Sequence, residues 1–173
     1  MSLFKKRVTP IEFADGLWIS TSHATKNFTK HYWIDFEKEN GYKLPPETNF
    51  ENFAAEALIL HFWIAGKALG TRQQASLDLL FKDIAKFLLL ESHVDNPESL
   101  IMERFRQYHG LMDKKNLQEL GYQICENLYG IDMTDFLVLD AKAVFILPMG
   151  LITWITHTMD AFLKIEKEFK IVN

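Results

Sequence analysis

Apolar residues recur along this chain every three to four positions, the spacing that gathers them on one face of an α-helix. The clearest run is Phe50, Phe53, Ala54, Ala57, Leu58, His61, Ile64, Ala65 and Ala68. Its opposite face starts polar at Asn49, Asn52 and Glu56, turns apolar at Ile59, Leu60, Phe62 and Trp63, and ends at Lys67. A helix that is apolar nearly all round its middle must be covered on most sides. The stretch from Thr48 to Leu69 is therefore expected to be the central helix of the fold. Thr48 and Glu51 have the spacing of a capping box at its start, and Gly70 ends it.

The same grammar repeats on either side. Thr9-Pro10-Ile11-Glu12 predicts a helix start, with Thr9 capping, Pro10 in the first turn and Glu12 reaching back. Its stripe is Ile11, Ala14, Leu17, Trp18, Thr21, Thr25, Phe28 and Tyr32. Ser20-Thr21-Ser22 is a weak spot, because short hydroxyl side chains compete for backbone groups, so one kinked helix or two shorter ones fit. Gly41 suits a left-handed stop. Thr71-Arg72-Gln73-Gln74 reads as another capping box, with Leu77, Leu80, Phe81, Ile84 and Leu88 turned inward. Asn96-Pro97 opens a helix with the stripe Ile101, Phe105, Tyr108 and Met112. Asp113 is expected to start the next, with Leu117, Leu120, Gly121, Ile124, Cys125 and Leu128 facing in and Gly130 ending it.

Asp132-Met133-Thr134-Asp135 begins the last region. Pro148 should break or kink it, since an interior proline removes a hydrogen bond and crowds the preceding turn. One helix is expected before Pro148 and a longer one after it, to about Phe169. Leu151, Trp154, Ile155, Phe162, Ile165 and Phe169 would share its apolar face, and Thr153, His157, Asp160, Lys164 and Lys167 its wet face. Strand patterning is almost missing: no period-two alternation flanks a hairpin turn. The expected fold is all-α, an irregular single-domain bundle of about six or seven helices over residues 9–173. Residues 1–8 read as a flexible basic stub.

Composition narrows the function classes. The chain has 173 residues, a length typical of one domain. Its 14 Phe, 4 Trp and 5 Tyr can build a thick core from few layers. A net charge of −4 speaks against nucleic acid as a partner. One cysteine excludes an internal disulfide and a multi-cysteine zinc site. No apolar run follows Lys5-Lys6-Arg7, so a cytoplasmic home is expected. The apolar stretch Ala143–Ile155 falls short of the roughly 20 residues that span a bilayer and reads as part of a buried core helix.

Six histidines are the natural place to look for chemistry. Di-iron bundles need an acid three residues before a histidine. Those positions hold Ser20, Phe28, Leu58, Leu90, Arg106 and Trp154, which excludes the motif. His31/Asp35, His109/Asp113 and His157/Asp160 could each put a nitrogen and a carboxylate on one helix face, but no metal ligand set follows from them. Cys125 lies on a buried stripe with no adjacent base, and Gly66–Thr71 lacks the lysine-hydroxyl pair of a phosphate loop.

His61 is the most informative polar residue, because every neighbour on its face is apolar. It reads either as a neutral core histidine bonded to a carbonyl or hydroxyl, or as a contact for a ligand in a pocket. Glu56 lies about 140° round the helix from it, so the two should not pair. Trp63, on the Glu56 side, is either core or an interface anchor. His61, Trp63 and Glu56 are the candidate pocket or interface residues, with no catalytic, metal or cofactor residues assigned. The functional expectation is a non-enzymatic helical binding or interaction protein, self-associating. The alternatives are a small enzyme or sensor holding an apolar or metal ligand near His61, and peripheral membrane contact through Met1–Arg7 or Ala143–Ile155.

Overall fold

A computed structural model describes residues 5–41, 43–44, 46–132 and 143–172, apart from the side chains of 39, 40 and 143–145. The described residues form an all-α bundle. In chain order they are β1 (Lys6–Val8), α1 (Pro10–Thr29), a π-helical turn (Lys30–Ile34), α2 (Phe36–Asn40), α3 (Phe50–Leu69), a 3-10 turn (Gly70–Gln73), α4 (Gln74–Glu91), α5 (Pro97–Asp113), α6 (Leu117–Tyr129), α7 (Ala143–Glu168) and β2 (Phe169–Ile171). The expected start at Asp132-Met133-Thr134-Asp135 lies largely outside the described residues.

The centre is α3, as its pattern predicts. Every residue from Ala55 to Ala65 is buried, and α1, α4, α5, α6 and α7 all pack on it. Its cap is Asn49 rather than Thr48. The Asn49 side chain accepts from the backbone N–H of Glu51 (2.7 Å) and Asn52 (3.0 Å), satisfying two orphan donors that one hydroxyl placed a residue earlier would not reach. Asn52 Nδ2 then donates to the Asn127 and Leu128 carbonyls, closing the C-terminal turn of α6 against α3.

Other starts divide the same way. The Thr9/Glu12 capping box forms in both directions, and Asn96 accepts from Ser99 N. The box expected at Thr71 does not form: Gly70, at φ +60°, opens a 3-10 turn, and α4 begins at Gln74 without a side-chain cap. Asp113 does not start α6. It ends α5, Lys115 turns the chain at φ +56°, and Asn116 caps Glu119 N at 3.3 Å. The hydroxyl-rich Ser20–Ser22 stretch leaves α1 unbroken, because Ser20 Oγ donates to the Gly16 carbonyl and Thr25 Oγ1 to that of Thr21 within the helix. The interruption comes later, in the π turn at Lys30–Ile34, where Asp35 N reaches back to the Lys30 carbonyl.

Three expectations near the termini are corrected. Lys6–Val8 are not a loose stub: they pair in parallel with Phe169–Ile171, Val8 opposite Ile171. Pro148 does not divide two helices but sits buried in the second turn of one continuous α7. The helix forgoes one ladder bond there, and the ring packs closely against Gly121 of α6. Nor is the Ala143–Ile155 stretch a buried core segment. Leu147, Leu151 and Ile155 are buried, while Ile146 and Met149 stand in solvent, as does Leu117 of α6. By length and composition two described stretches could cross a membrane. Phe50–Glu91 is 78% buried over its most apolar window, as a core helix is, but Ile146–Glu168 is only 28% buried.

The α6–α7 contact sets a sharp steric condition. A Cβ on Gly121 would come 2.7 Å from Pro148 Cβ and 3.0 Å from its carbonyl oxygen. Gly121→Ala gains helix propensity but must push two helix backbones apart. A net loss of about 1–3 kcal/mol is expected, the usual cost of overpacking. Urea denaturation of the purified variant checks it, and a gain in stability would refute the close approach.

Candidate functional site

The site begins with a gap. Both α1 and α7 pack on α3, and they meet each other at one end, through Phe28 and Trp154, but leave a gap beyond it. On α1 the residues facing the gap are small, Gly16, Ser20 and Ala24 at helical spacing, and α7 answers with Thr158 and Ala161. The main groove encloses about 500 Å³, between Ile19, His23, Ala24 and Asn27 of α1 and Trp154, His157, Ala161 and Phe162 of α7. It runs on, through the shared Ser20 and Ile165, into a smaller hollow of about 200 Å³ beside Val8, Phe13, Gly16 and Phe169. A Cβ built on Gly16 meets no atom within 4 Å. This mid-helix glycine is thus not required by packing, although glycine there costs up to roughly 1 kcal/mol relative to alanine.

Trp154 anchors the inner end of the groove. Its ring meets Phe28 edge-on at 5.4 Å and Tyr32 at 5.9 Å, and lies near-parallel to His31 at 6.3 Å. The π turn that carries His31 and Tyr32 brings both rings to this position. The Trp154 indole N–H donates to His61 Nε2 at 3.0 Å. His61 Nδ1–H donates in turn to the Ala57 carbonyl at 2.7 Å. The two bonds together select one neutral tautomer: Nδ1 carries the proton and Nε2 offers the lone pair. A second proton would set Nε2–H against the indole N–H. Burial pushes the imidazole pKa down to about 4.

The three residues singled out from sequence do not converge. His61 is fully buried and forms the layer beneath the groove, in contact with it only through Trp154. Trp63, 0% exposed, is inside the fold and not an interface anchor. It packs edge-on against Tyr108 of α5, and its indole N–H donates to His109 Nδ1 at 3.0 Å. Glu56 is also on the α5 side, 2% exposed, where Arg104 grips it from Nε and Nη2 at 2.8–3.0 Å. Burial raises the Glu56 pKa, against the pull of the Arg104 guanidinium. The angular separation of Glu56 from His61 predicted this parting. Asp113, considered with His109 as a ligand pair, instead bridges to Lys67 at 3.0 Å. Among the described residues no three His, Cys, Asp or Glu side chains gather to hold a metal ion.

No known protein family, curated protein or solved structure matches this chain. The site must be read from its own chemistry. At the inner end His23, Asn27, His157 and Thr158 supply polar groups, and the rest of the lining is mostly apolar. Sequence reasoning missed it. His157 and Lys164 were rightly put on the wet face, but nothing in the spacing of α7 showed that α1 would lie across from it. The signal that was there is the Gly16, Ser20, Ala24 series, small residues four apart on one side of α1.

The His61 tautomer generates a pH test. With a folded pKa near 4 against an ordinary 6.5, protons favour the unfolded chain. The stabilisation from neutral His61 is complete above about pH 6.5 and is lost as pH falls towards 4, roughly 3 kcal/mol in all. His61→Phe removes that linkage. The stability gap between wild type and variant should therefore be widest at pH 7 and shrink towards pH 4, measured by denaturant titration. A gap independent of pH would mean His61 is not held neutral.

Proposed function

We propose that this chain is a non-enzymatic binding protein that holds a small apolar ligand in the groove between α1 and α7. The observation that carries the reading is the groove itself: about 500 Å³, mostly apolar in exposed wall, with His23, Asn27, His157 and Thr158 towards one end and Ser20 further along. That is the size and character of small-molecule sites generally. The open face of Gly16 supports it, since a helix built only to pack would fill that space. The reading as a binder rather than a catalyst is supported by Cys125, whose thiol burial pushes well above its usual range, out of reach of nucleophilic use.

The neutral dye Nile red tests it. Purified protein is expected to bind the dye with a blue-shifted emission. Ala161→Phe, at an exposed position lining the groove, is expected to weaken binding about tenfold while leaving stability within about 0.5 kcal/mol, as surface substitutions do. No dye binding, or binding unaffected by Ala161→Phe, would refute the site.

A second reading, self-association, is favoured by a separate observation. Leu117, Ile146 and Met149 are 45%, 53% and 73% exposed, and a hollow of about 480 Å³ lies between Leu117, Tyr122, Pro148, Met149 and Ile152. Large apolar side chains grouped in solvent mark contact surfaces. Light scattering behind size exclusion should then find an oligomer that Met149→Asp reduces to a monomer. A wild-type monomer at high concentration would rule the reading out.

A further inference from the structure

Polarity is graded along the α1–α7 seam, and the gradient specifies a ligand more closely than the volume does. Lining residues pair antiparallel, Asn27 near Trp154 at one end and Phe13 near Phe169 at the other. The polar groups cluster at the first end. Asn27 Nδ2 donates to His23 Nε2 at 3.0 Å, which leaves His23 Nδ1–H as a donor, and His157 lines the facing helix. Lys26 and Lys30 are exposed on the α1 side of this end, and Asp160 is exposed on α7 one turn beyond His157. None of these three charges lines the groove itself. Towards the other end the lining becomes Phe162, Ile165, Gly16, Val8, Phe13 and Phe169, with Ser20 between the two hollows and the Glu12 carboxylate held by Thr9 in its capping box. From His23 to Phe13 the seam follows α1 for about 15 Å at ~1.5 Å per residue.

We infer that the groove takes an elongated anionic amphiphile, a long-chain fatty acid, with its carboxylate between His23 and His157 and its chain laid along the seam towards Gly16. The inference rests on the binding reading above and adds to it a head group, an orientation and a chain length. A carboxylate between imidazole N–H donors forms charge-assisted hydrogen bonds that a hydroxyl of the same chain does not match. The chain meanwhile buries apolar surface that the bundle alone leaves wet.

Displacement of Nile red by palmitic acid, hexadecanol and octanoic acid tests this. Palmitic acid is expected to bind about tenfold more tightly than hexadecanol. The His23→Leu/His157→Leu double variant should abolish that advantage and leave hexadecanol within about twofold. Both histidines are exposed, so the fold should persist. Gly16→Leu, whose side chain enters open space, should weaken palmitic acid about fivefold or more and spare octanoic acid, which does not reach it. Equal binding of acid and alcohol, an acid advantage that survives the double variant, or a Gly16→Leu effect shared by octanoic acid would overturn the assignment with the binding reading intact. So would dye binding that palmitic acid does not displace, or attachment to phosphatidylglycerol vesicles without binding of the monomeric acid. Failure of Nile red to bind at all would instead remove the binding reading itself.

Discussion

From Ala55 to Ala65 the central helix α3 has no side left for water. The rest of the molecule is arranged to meet that condition. Five helices pack on α3, and the polar groups caught within the stretch must find partners there, since an unpaired buried charge or donor costs several times a typical hydrogen bond. Glu56 meets the demand with Arg104 from α5, and His61 meets it with Trp154 from α7. The two residues therefore do more than survive burial. Each specifies which neighbour must lie on its side of α3, so they orient α5 and α7 where apolar contacts alone would tolerate rotation.

How much of this was legible in the sequence depends on the range of the interaction responsible. The identity of the central helix was legible, because its pattern of apolar residues on both faces is a property of α3 alone. So were the Thr9/Glu12 box, the Asn96 cap and the left-handed stops at Gly41 and Gly130, which are settled within four or five residues. Two misread starts fall where two capping residues compete within a few positions, Thr48 with Asn49 and Asp113 with Asn116, and the third, at Thr71, is displaced by the 3-10 turn that Gly70 opens. Local spacing cannot decide between them; the packing of the flanking helices does. Pro148 shows the same limit. Its local meaning is a break, but the close fit to Gly121, far away in the chain, lets one helix run through it.

The candidate site was the least legible part, and for the same reason. His61 was correctly marked as unusual, since a histidine amid apolar neighbours is visible in one helix. Its partner Trp154 is 93 positions away, and the groove beyond Trp154 lies between two helices that share a neighbour and meet each other at Phe28 and Trp154. His157, which reads as solvated surface, and His23, which no pattern singles out, end up lining that groove. The parallel pairing of β1 with β2 was invisible for a related cause: three residues are too few to show an alternating pattern, and their strand character comes from each other.

The open seam runs against the stability of the bundle in two ways at once. Gly16 weakens α1 where an alanine would fit without contact, and the apolar walls beside it remain wet. A bundle shaped only by packing would close both with larger side chains, and at Gly16 no atom within 4 Å obstructs an added Cβ. Both costs fall together if the seam has an occupant, because the same missing side chains that expose the walls then make room for the group that covers them. Trp154 ties this surface to the core. Its indole N–H holds His61 in one tautomer at the centre of α3 while its ring forms the groove's end. The wall that would meet a ligand is thus fixed by a hydrogen bond to a fully buried histidine, which presents a preformed surface and lowers the ordering cost of binding.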